Sequence, residues 1–506
     1  MSERLRPLLL IAIAATPALT GAAILLGRVL GGTSTPTAGE TLPSSEPPAA
    51  ISARELCSFS NDDAREALVQ GADGGFSVVQ GGKTWWFFGD TLFLAESGKQ
   101  IEQNAVAWSD TVDDHGCPEL HYYARNGIAV PFIPKDGSLT VWPAGAWPRP
   151  DGRTVDVYTA YVYGSGPYAY RIGEVGVATL DTASMSTTVV ARSLWDDGAG
   201  FPDHVIGAQP VELGADGLLR VLLQSERSEK YLARVAPGRI ADAAAYEFWD
   251  GQRWQSSPAS AASLWSGITA ADPVERLAAF ENGASVAWNA SLQAYVAVVN
   301  VGFAAVGIRT APRLEGPWSA PQPLIDCTLV AGPSVPVCYS PYQHPSLAPD
   351  GRTLVLTFTR MATYDTVAFE VRLGDAVHEY ERDGRFAYGF ERPGAGWKDR
   401  GAVAYASAEP GPGLAPVYRW RSASGGDRYG QTAPSNDYEQ GGVAFYAPAT
   451  ALRSGTAMTY TPVYEWSRDG RHLLSPASDL LPQLGYERSH VACYASVASV
   501  ERGGSP

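Results

Sequence analysis

Basic residues are scarce, and beyond the extreme N-terminus they form no block. Lys and Arg number 38 against 53 Asp and Glu, a formal charge of −15. A chain of this sign lacks the electrostatic footprint of a nucleic-acid binder or of a protein that sits on an anionic membrane surface. Histidines number only 7, and no Cys/His spacing suits a metal, so neither a metal nor a cofactor is expected. Long amphipathic helical patterns are missing as well. In their place stands turn and strand chemistry, with 53 Gly, 37 Pro, 24 Tyr and 14 Trp in 506 residues. That balance implies an all-β protein with more than one domain.

Arg4 and Arg6 precede an apolar run from Pro7 to Gly27. The run is long for a cleaved leader and close to the ~20 residues that span a bilayer. Residues 1–30 are therefore expected to be a signal peptide or an uncleaved signal anchor. Either one makes the rest secreted or membrane-anchored at the cell envelope, and the membrane is met only through this segment. Residues 31–56 begin Thr/Ser/Pro/Gly-rich and are expected to form a disordered linker. In an exported protein, cysteines pair. Cys327 and Cys338 bracket a short Gly/Pro loop and are the first expected pair; Cys57 with Cys117 is the second; Cys493 is left over and buried.

The chain is best anchored on the stretch from Gly71 to Phe93. Two apolar strands flank Gln80-Gly81-Gly82-Lys83, where the glycines supply the positive φ of a tight hairpin. Asp73 begins the first strand and Asp90 ends the second, so antiparallel pairing brings both acids to one edge. Two adjacent acids suit glycosidic-bond hydrolysis. Asp beside Gly is also ordinary turn chemistry.

Four later segments repeat the strand–turn–strand pattern, and the second strands begin near 84, 154, 218, 294 and 353. Five such units over residues 57–373 predict a five-bladed β-propeller, with a two-sheet sandwich as the alternative. In a propeller the first strand of each unit lines the axis. The funnel would then receive Asp73, Thr140-Val141-Trp142, His204 and Gln209, Glu281 and Asn282, and Tyr342 and His344. Acids, amides and aromatics together compose a sugar site. His344 equally fits a turn, Glu281 a loop, and mid-strand Asp156 either the funnel or an edge.

Asp-Gly-Gly-Phe-Ser at 73–77 followed by Trp-Trp-Phe-Phe-Gly-Asp-Thr-Leu-Phe at 85–93 resembles the opening of an exported bacterial family. That family, domain of unknown function 4185 or glycoside hydrolase family 183, is associated with endo-D-arabinanase activity on a five-bladed propeller. The segments at Asn104–Trp108, Ser285–Asn289 and Tyr342–Pro345 fall where similar ones are expected. The resemblance implies a retaining glycosidase that cleaves an arabinan-like furanoside polysaccharide. Its acid pair would be Asp73 and Asp90, and Asn104, Gln209, Glu281, Asn282, Tyr342 and His344 are the candidate substrate-binding residues. The rival expectation is a non-catalytic glycan-binding or adhesion protein that uses the same funnel.

Beyond residue 375 the period changes. Val377-His378-Glu379-Tyr380, Val417-Tyr418-Arg419-Trp420 and Val463-Tyr464-Glu465-Trp466 recur, each followed by an apolar element that ends in Tyr405, Tyr446 or Tyr494. Three units over 375–500 predict a β-trefoil-like module. The wording resembles an accessory domain carried by exported bacterial hydrolases, which implies a polysaccharide or cell-wall glycan as partner. Trp420 and Trp466 are expected in its core.

Overall fold

A computed structural model describes residues 47–59, 69–94, 100–164, 170–266, 284–302, 304–331, 335, 337–422, 427–435, 437–450, 460–476 and 480–495. The N-terminal apolar run, Glu281 and Asn282 lie outside these residues.

The regular structure of the described residues is nearly all β. Five antiparallel sheets follow one another along the sequence, and each begins with one of the anticipated hairpins. The first holds Val69–Gln80, Lys83–Leu94, Gln100–Ser109 and His121–Tyr122. The second holds Thr140–Pro148, Thr154–Gly164, Tyr170–Asp181 and Ser186–Asp196. The third starts with Val205–Leu213, Leu219–Ser225, Glu229–Val235 and Glu247–Trp249, and short strands extend it. The fourth holds Ala284–Asn289, Ala294–Val301, Ala305–Ala311 and Gln322–Asp326. In the fifth, Cys338–Gln343, Thr353–Arg360 and Asp365–Arg382 are joined by Ala49–Ser58 from the other end of the chain. The first strands of the five sheets touch in a closed cycle, first to second and onward until the fifth meets the first.

Ala49–Ser58 corrects the expected linker. Ala49, Ala50, Ile51 and Ala53 are buried, and the strand pairs with Val367–Gly374 with a bulge after Ala50. Ordered structure therefore starts well before residue 57. Pro, Ser and Thr composition set the expectation, but a short run of small apolar residues, Ala49-Ala50-Ile51, is enough to seat an outer strand.

An apolar core fills each gap in the cycle. Between first and second sheets lie Phe87, Val106, Val141, Val157 and Tyr161. Between fourth and fifth lie Val296, Ile308, Leu356, Phe358 and Phe369. A buried polar tie crosses each gap as well. Gln80 Nε2 donates to the carbonyls of Arg149 and Thr154 at 3.0 and 2.8 Å. The Tyr158 and Tyr246 hydroxyls meet at 2.6 Å, and Tyr295 donates to Glu212 at 2.7 Å. Gln343 Nε2 donates to the carbonyls of Ser285 and Val296, both at 2.8 Å. His344 makes the fifth tie: Nδ1 lies 2.7 Å from Ser77 Oγ, and Nε2 lies 2.8 Å from Thr357 Oγ1. Satisfied buried polar groups of this kind fix the rotation of one sheet against the next.

Both anticipated disulfides are formed, Cys57–Cys117 and Cys327–Cys338, and Cys493 is buried and free. Cys57–Cys117 links the outer strand of the fifth sheet to the first sheet's last loop, across the junction that closes the cycle. A bridge spanning 60 residues removes about 4 kcal/mol of unfolded-chain freedom. Replacing Cys57 and Cys117 together by Ala should cost most of that amount in urea unfolding, with a slope that rises as the unfolded chain expands. An unchanged midpoint would show that strand pairing alone closes the cycle.

The C-terminal repeats form three three-stranded sheets, each with its first strand in the centre. Val377, Val417 and Val463 meet Ala404, Phe445 and Cys493 in one core. Trp420 and Trp466 are buried, and their indole N–H groups donate to carbonyls of Gly430 and Ser475. Burial holds the Cys493 thiol up at about 12, so the lone cysteine is a packing residue. The boundary near 375 is not a clean break. Asp365–Arg382 runs unbroken from the fifth sheet into the first C-terminal sheet, and Ala49, Ile51 and Tyr405 share a small cluster across it.

Candidate active site

The hairpin at 69–94 is built to bring two acids together. Between Ala72 and Phe76 the pairing with the second strand slips twice, and Gly74 and Gly75 there have φ of 82° and 89°. Such a bulge re-aims a side chain out of strand alternation. Asp73 turns so that its Oδ1 accepts the Asp90 backbone N–H at 2.8 Å. Gly89 makes this possible: a Cβ there would come within 2.4 Å of Asp73 Oδ1. Asp-Gly-Gly and Phe-Gly-Asp are thus two halves of one device, in which glycines clear the space that two acids occupy.

Three tyrosines from the fifth sheet enclose Asp73. Tyr339 and Tyr364 donate to its Oδ2 at 3.2 and 3.3 Å. Tyr342 stands beside it, with its ring 5.5 Å from Phe76. Asp90 faces the second sheet, where Trp142 Nε1 donates to its Oδ1 at 2.7 Å. Thr140 lies on the same side. Both acids keep part of their side chains accessible. Desolvation, then repulsion from Asp90, pushes the Asp73 carboxyl up to about 8. Desolvation also raises Asp90, and the Trp142 indole opposes it. Two close acids whose environments push them upward hold one proton between them near neutrality, which is the state that acid–base cleavage needs.

The other candidates divide. Tyr342 belongs to the cluster. Asn104 does not serve a ligand: its amide N donates to the carbonyls of Ile133 and Val141, and its Oδ1 accepts from the N–H groups of Phe132 and Ile133, all at 3.0–3.1 Å. No hydrogen-bonding capacity is left over. His344 is also structural, since both ring nitrogens are engaged, its ring packs 4.7 Å from Trp86, and burial lowers it to about 3, so it stays neutral. Gln209 lies on the first strand of the third sheet, and its Oε1 is buried with no hydrogen-bond partner among the described residues. Glu281 and Asn282 fall outside the described residues. Asp156 is fully buried against Arg149 and Thr179, and Asp203 is held by Arg227, so neither is a free funnel acid.

Tyr339 and Tyr364 were not anticipated. Tyr339 is the second residue of Cys338–Gln343, the first strand of the fifth sheet, and the pairing of that strand slips between it and Tyr342. Tyr364 lies in a turn with φ of 52°, and no sequence signal marks it.

The family model described as Domain of unknown function (DUF4185) matches residues 223–370, which span the third to fifth sheets but not Asp73 or Asp90. No curated protein matches the chain. Among solved structures it is similar to a candidate hydrolase from Bacteroides ovatus, 14% identical, covering 61% of this chain and 87% of that one at a TM-score of 0.45. It is similar to the catalytic domain of a Coprinopsis cinerea α-L-arabinofuranosidase, 10% identical over 64% and 98% of the two chains at a TM-score of 0.40. It is also similar to an exo-β-1,3-galactanase from Clostridium thermocellum, 10% identical over 85% and 96% at a TM-score of 0.39.

Proposed function

We propose that this protein is an exported glycoside hydrolase, built on a five-bladed β-propeller, that cleaves a furanoside polysaccharide of arabinan type. The observation that carries the reading is the acid pair: Asp73 and Asp90, brought together by the Gly74–Gly75 bulge and Gly89, both raised above the ordinary carboxylate range. The closed cycle of first strands supports the propeller. The Asp-Gly-Gly-Phe-Ser and Phe-Gly-Asp-Thr segments support the substrate class. The apolar N-terminal run and the two disulfides support export.

In the mechanism, Asp73 is the protonated acid and Asp90 the carboxylate. Asp73 is the more strongly raised of the two, because burial and repulsion from Asp90 together outweigh the three donors on it, whereas Asp90 is raised by burial alone and that is opposed by the Trp142 indole N–H. Asp90 Oδ attacks the anomeric carbon as the glycosidic C–O bond breaks, and Asp73 gives its proton to the leaving oxygen. A water then loses its proton to Asp73 and attacks the same carbon, which frees Asp90. Two inversions give net retention. The C-terminal three-sheet unit, β-trefoil-like in its pseudo-threefold repeat, would dock on the glycan.

The test is incubation of the purified protein with arabinan, galactan, fructan and mycobacterial cell-wall polysaccharide, followed by separation of released oligosaccharides and NMR of the first-formed anomer. Release from arabinan with retained configuration is expected. Retention of the polysaccharide without any release would instead identify a binding protein.

A further inference from the structure

The main chain around Asp73 is held from outside its own sheet. The bulge between Ala72 and Phe76 disrupts the ladder of the first sheet locally, and the carbonyls on either side of Asp73 are met by hydroxyls of the fifth. Thr366 Oγ1 donates to the Ala72 carbonyl at 2.9 Å, and Thr357 Oγ1 donates to that of Gly75 at 3.1 Å. Glycines let the two sheets come this close. A Cβ on Gly75 would stand 3.0 Å from Thr366 Cγ2, and one on Gly71 would run into the Tyr364 carbonyl. Both threonines are buried.

Each hydroxyl is itself backed, and the direction of every bond follows. A carbonyl can only accept, so the single hydroxyl proton of Thr357 goes to Gly75. His344 Nε2, 2.8 Å from Thr357 Oγ1, must then donate, which places the proton of the neutral imidazole on Nε2. Nδ1 is bare and accepts from Ser77 Oγ at 2.7 Å. By the same rule the proton of Thr366 goes to Ala72, and Thr359 Oγ1, 3.4 Å away, is the donor to Thr366. Two one-way chains thus end on the carbonyls that flank Asp73. The fifth sheet also supplies Tyr339 and Tyr364 to Asp73 Oδ2, whereas Asp90 belongs to the first. The carboxyl therefore meets Asp90 at a place set by how the fifth sheet is seated on the first.

We propose that Thr357 and Thr366, backed by His344 and Thr359, are positioning residues that clamp the main chain on both sides of Asp73 and so hold its carboxyl against the Asp90 N–H and Tyr339. All four are buried and act on a sugar only through Asp73. The consequence for catalysis rests on the glycosidase reading; the consequence for Asp73 itself does not.

The experiment compares Thr357→Val, Thr357→Ser and Thr366→Val with wild type, each with and without Tyr339→Phe. Tyr295→Phe, which breaks the tie to Glu212 between the third and fourth sheets, serves as the comparison. The infrared carbonyl stretch of the protonated Asp73 carboxyl, identified by its loss in Asp73→Asn, follows the titration of Asp73 whether or not the protein turns over. In wild type, Tyr339→Phe should raise that titration by about one unit. In Thr357→Val the increment should fall below about half a unit, because a carboxyl free to swing has already lost the phenol. On arabinan, kcat should fall about tenfold or more with KM within about twofold. Thr357→Ser keeps the hydroxyl and should keep wild-type behaviour. Thr366→Val should act as Thr357→Val does, and it leaves His344 fully bonded, so it carries the test if Thr357→Val does not fold. Tyr295→Phe should lose stability and leave both the increment and kcat in place. An undiminished increment in the valine variants overturns the clamp, and so does Thr357→Ser that behaves like Thr357→Val or Tyr295→Phe that reproduces the losses. A diminished increment in a protein that releases no sugar from any polysaccharide sinks the glycosidase reading and leaves the clamp standing.

Discussion

Asp90→Asn should lower kcat/KM by on the order of 10⁴-fold, and Asp73→Asn by roughly 10²–10⁴-fold, while both proteins remain folded. The two losses differ in kind. In the proposed mechanism, asparagine at 90 removes the carboxylate that would attack the anomeric carbon. Asparagine at 73 would remove the proposed proton donor, so a substrate whose leaving group departs without protonation should recover much of its rate in Asp73→Asn and none in Asp90→Asn. Stability should move the other way. The Asp73 pKa is raised in the folded state, so between the ordinary value of 3.8 and about 8 the folded protein holds a proton that the unfolded chain has released. In that window stability falls as pH rises. An amide of the same shape removes this cost and still accepts the Asp90 N–H, so Asp73→Asn should melt higher than wild type at pH 7, by a margin that shrinks toward pH 4. Near-wild-type turnover in either variant would remove that residue from the chemistry. An unchanged or lower melting temperature for Asp73→Asn would show that the carboxyl is not strained by burial.

How much of this was legible depended on whether a residue's reason was local. Gly81-Gly82 marks its hairpin, and φ of 60° and 80° there is what two glycines permit. The other hairpins announce themselves by the same local chemistry, which is why the second strands begin at 83, 154, 219, 294 and 353, within a residue of expectation. The acid pair was legible because its glycines are written beside it. What the sequence could not separate was polar groups that face a sugar from polar groups that tie one sheet to the next. Asn104, on the third strand of the first sheet, and His344, just past the first strand of the fifth, have the residue types of a binding site, yet each is wholly engaged by protein atoms. Sheet-to-sheet gaps need satisfied amides and imidazoles as much as ligands do. Facing was the second obstacle. Between Tyr339 and Tyr342 the pairing slips and Ser340 takes φ of 50°, so alternation counted from either end of that strand gives the wrong face at the other. Tyr339 reaches Asp73 only because of that slip.

The phenols on Asp73 yield the second large effect, on pH dependence. Tyr339 and Tyr364 both donate to Oδ2, and each bond favours the charged carboxylate, so each holds the Asp73 pKa below where burial and Asp90 would otherwise put it. Replacing either by Phe removes one donor and leaves the ring. A hydrogen bond to a charged group is worth about 1.5 kcal/mol or more, and 1.36 kcal/mol is one pH unit. The alkaline limb of kcat/KM, where the pair loses its shared proton, should therefore move up by about one unit in Tyr339→Phe and in Tyr364→Phe. The double variant should move further but by less than the sum, because the two hydroxyls also interact with each other. The acid limb, set by ionisation of Asp90 beside Trp142, should shift less. Trp142→Phe reverses the pattern. It removes the indole donor from Asp90, so the acid limb should rise and the window of activity narrow from below. These limbs belong to the pair rather than to one acid, but the direction of each shift identifies which carboxyl the lost donor served. A uniform loss of rate with both limbs in place would mean that the tyrosines only support the wall of the site, and loss of activity together with the alkaline limb in Tyr339→Phe would make the phenol, not Asp73, the group that gives the proton.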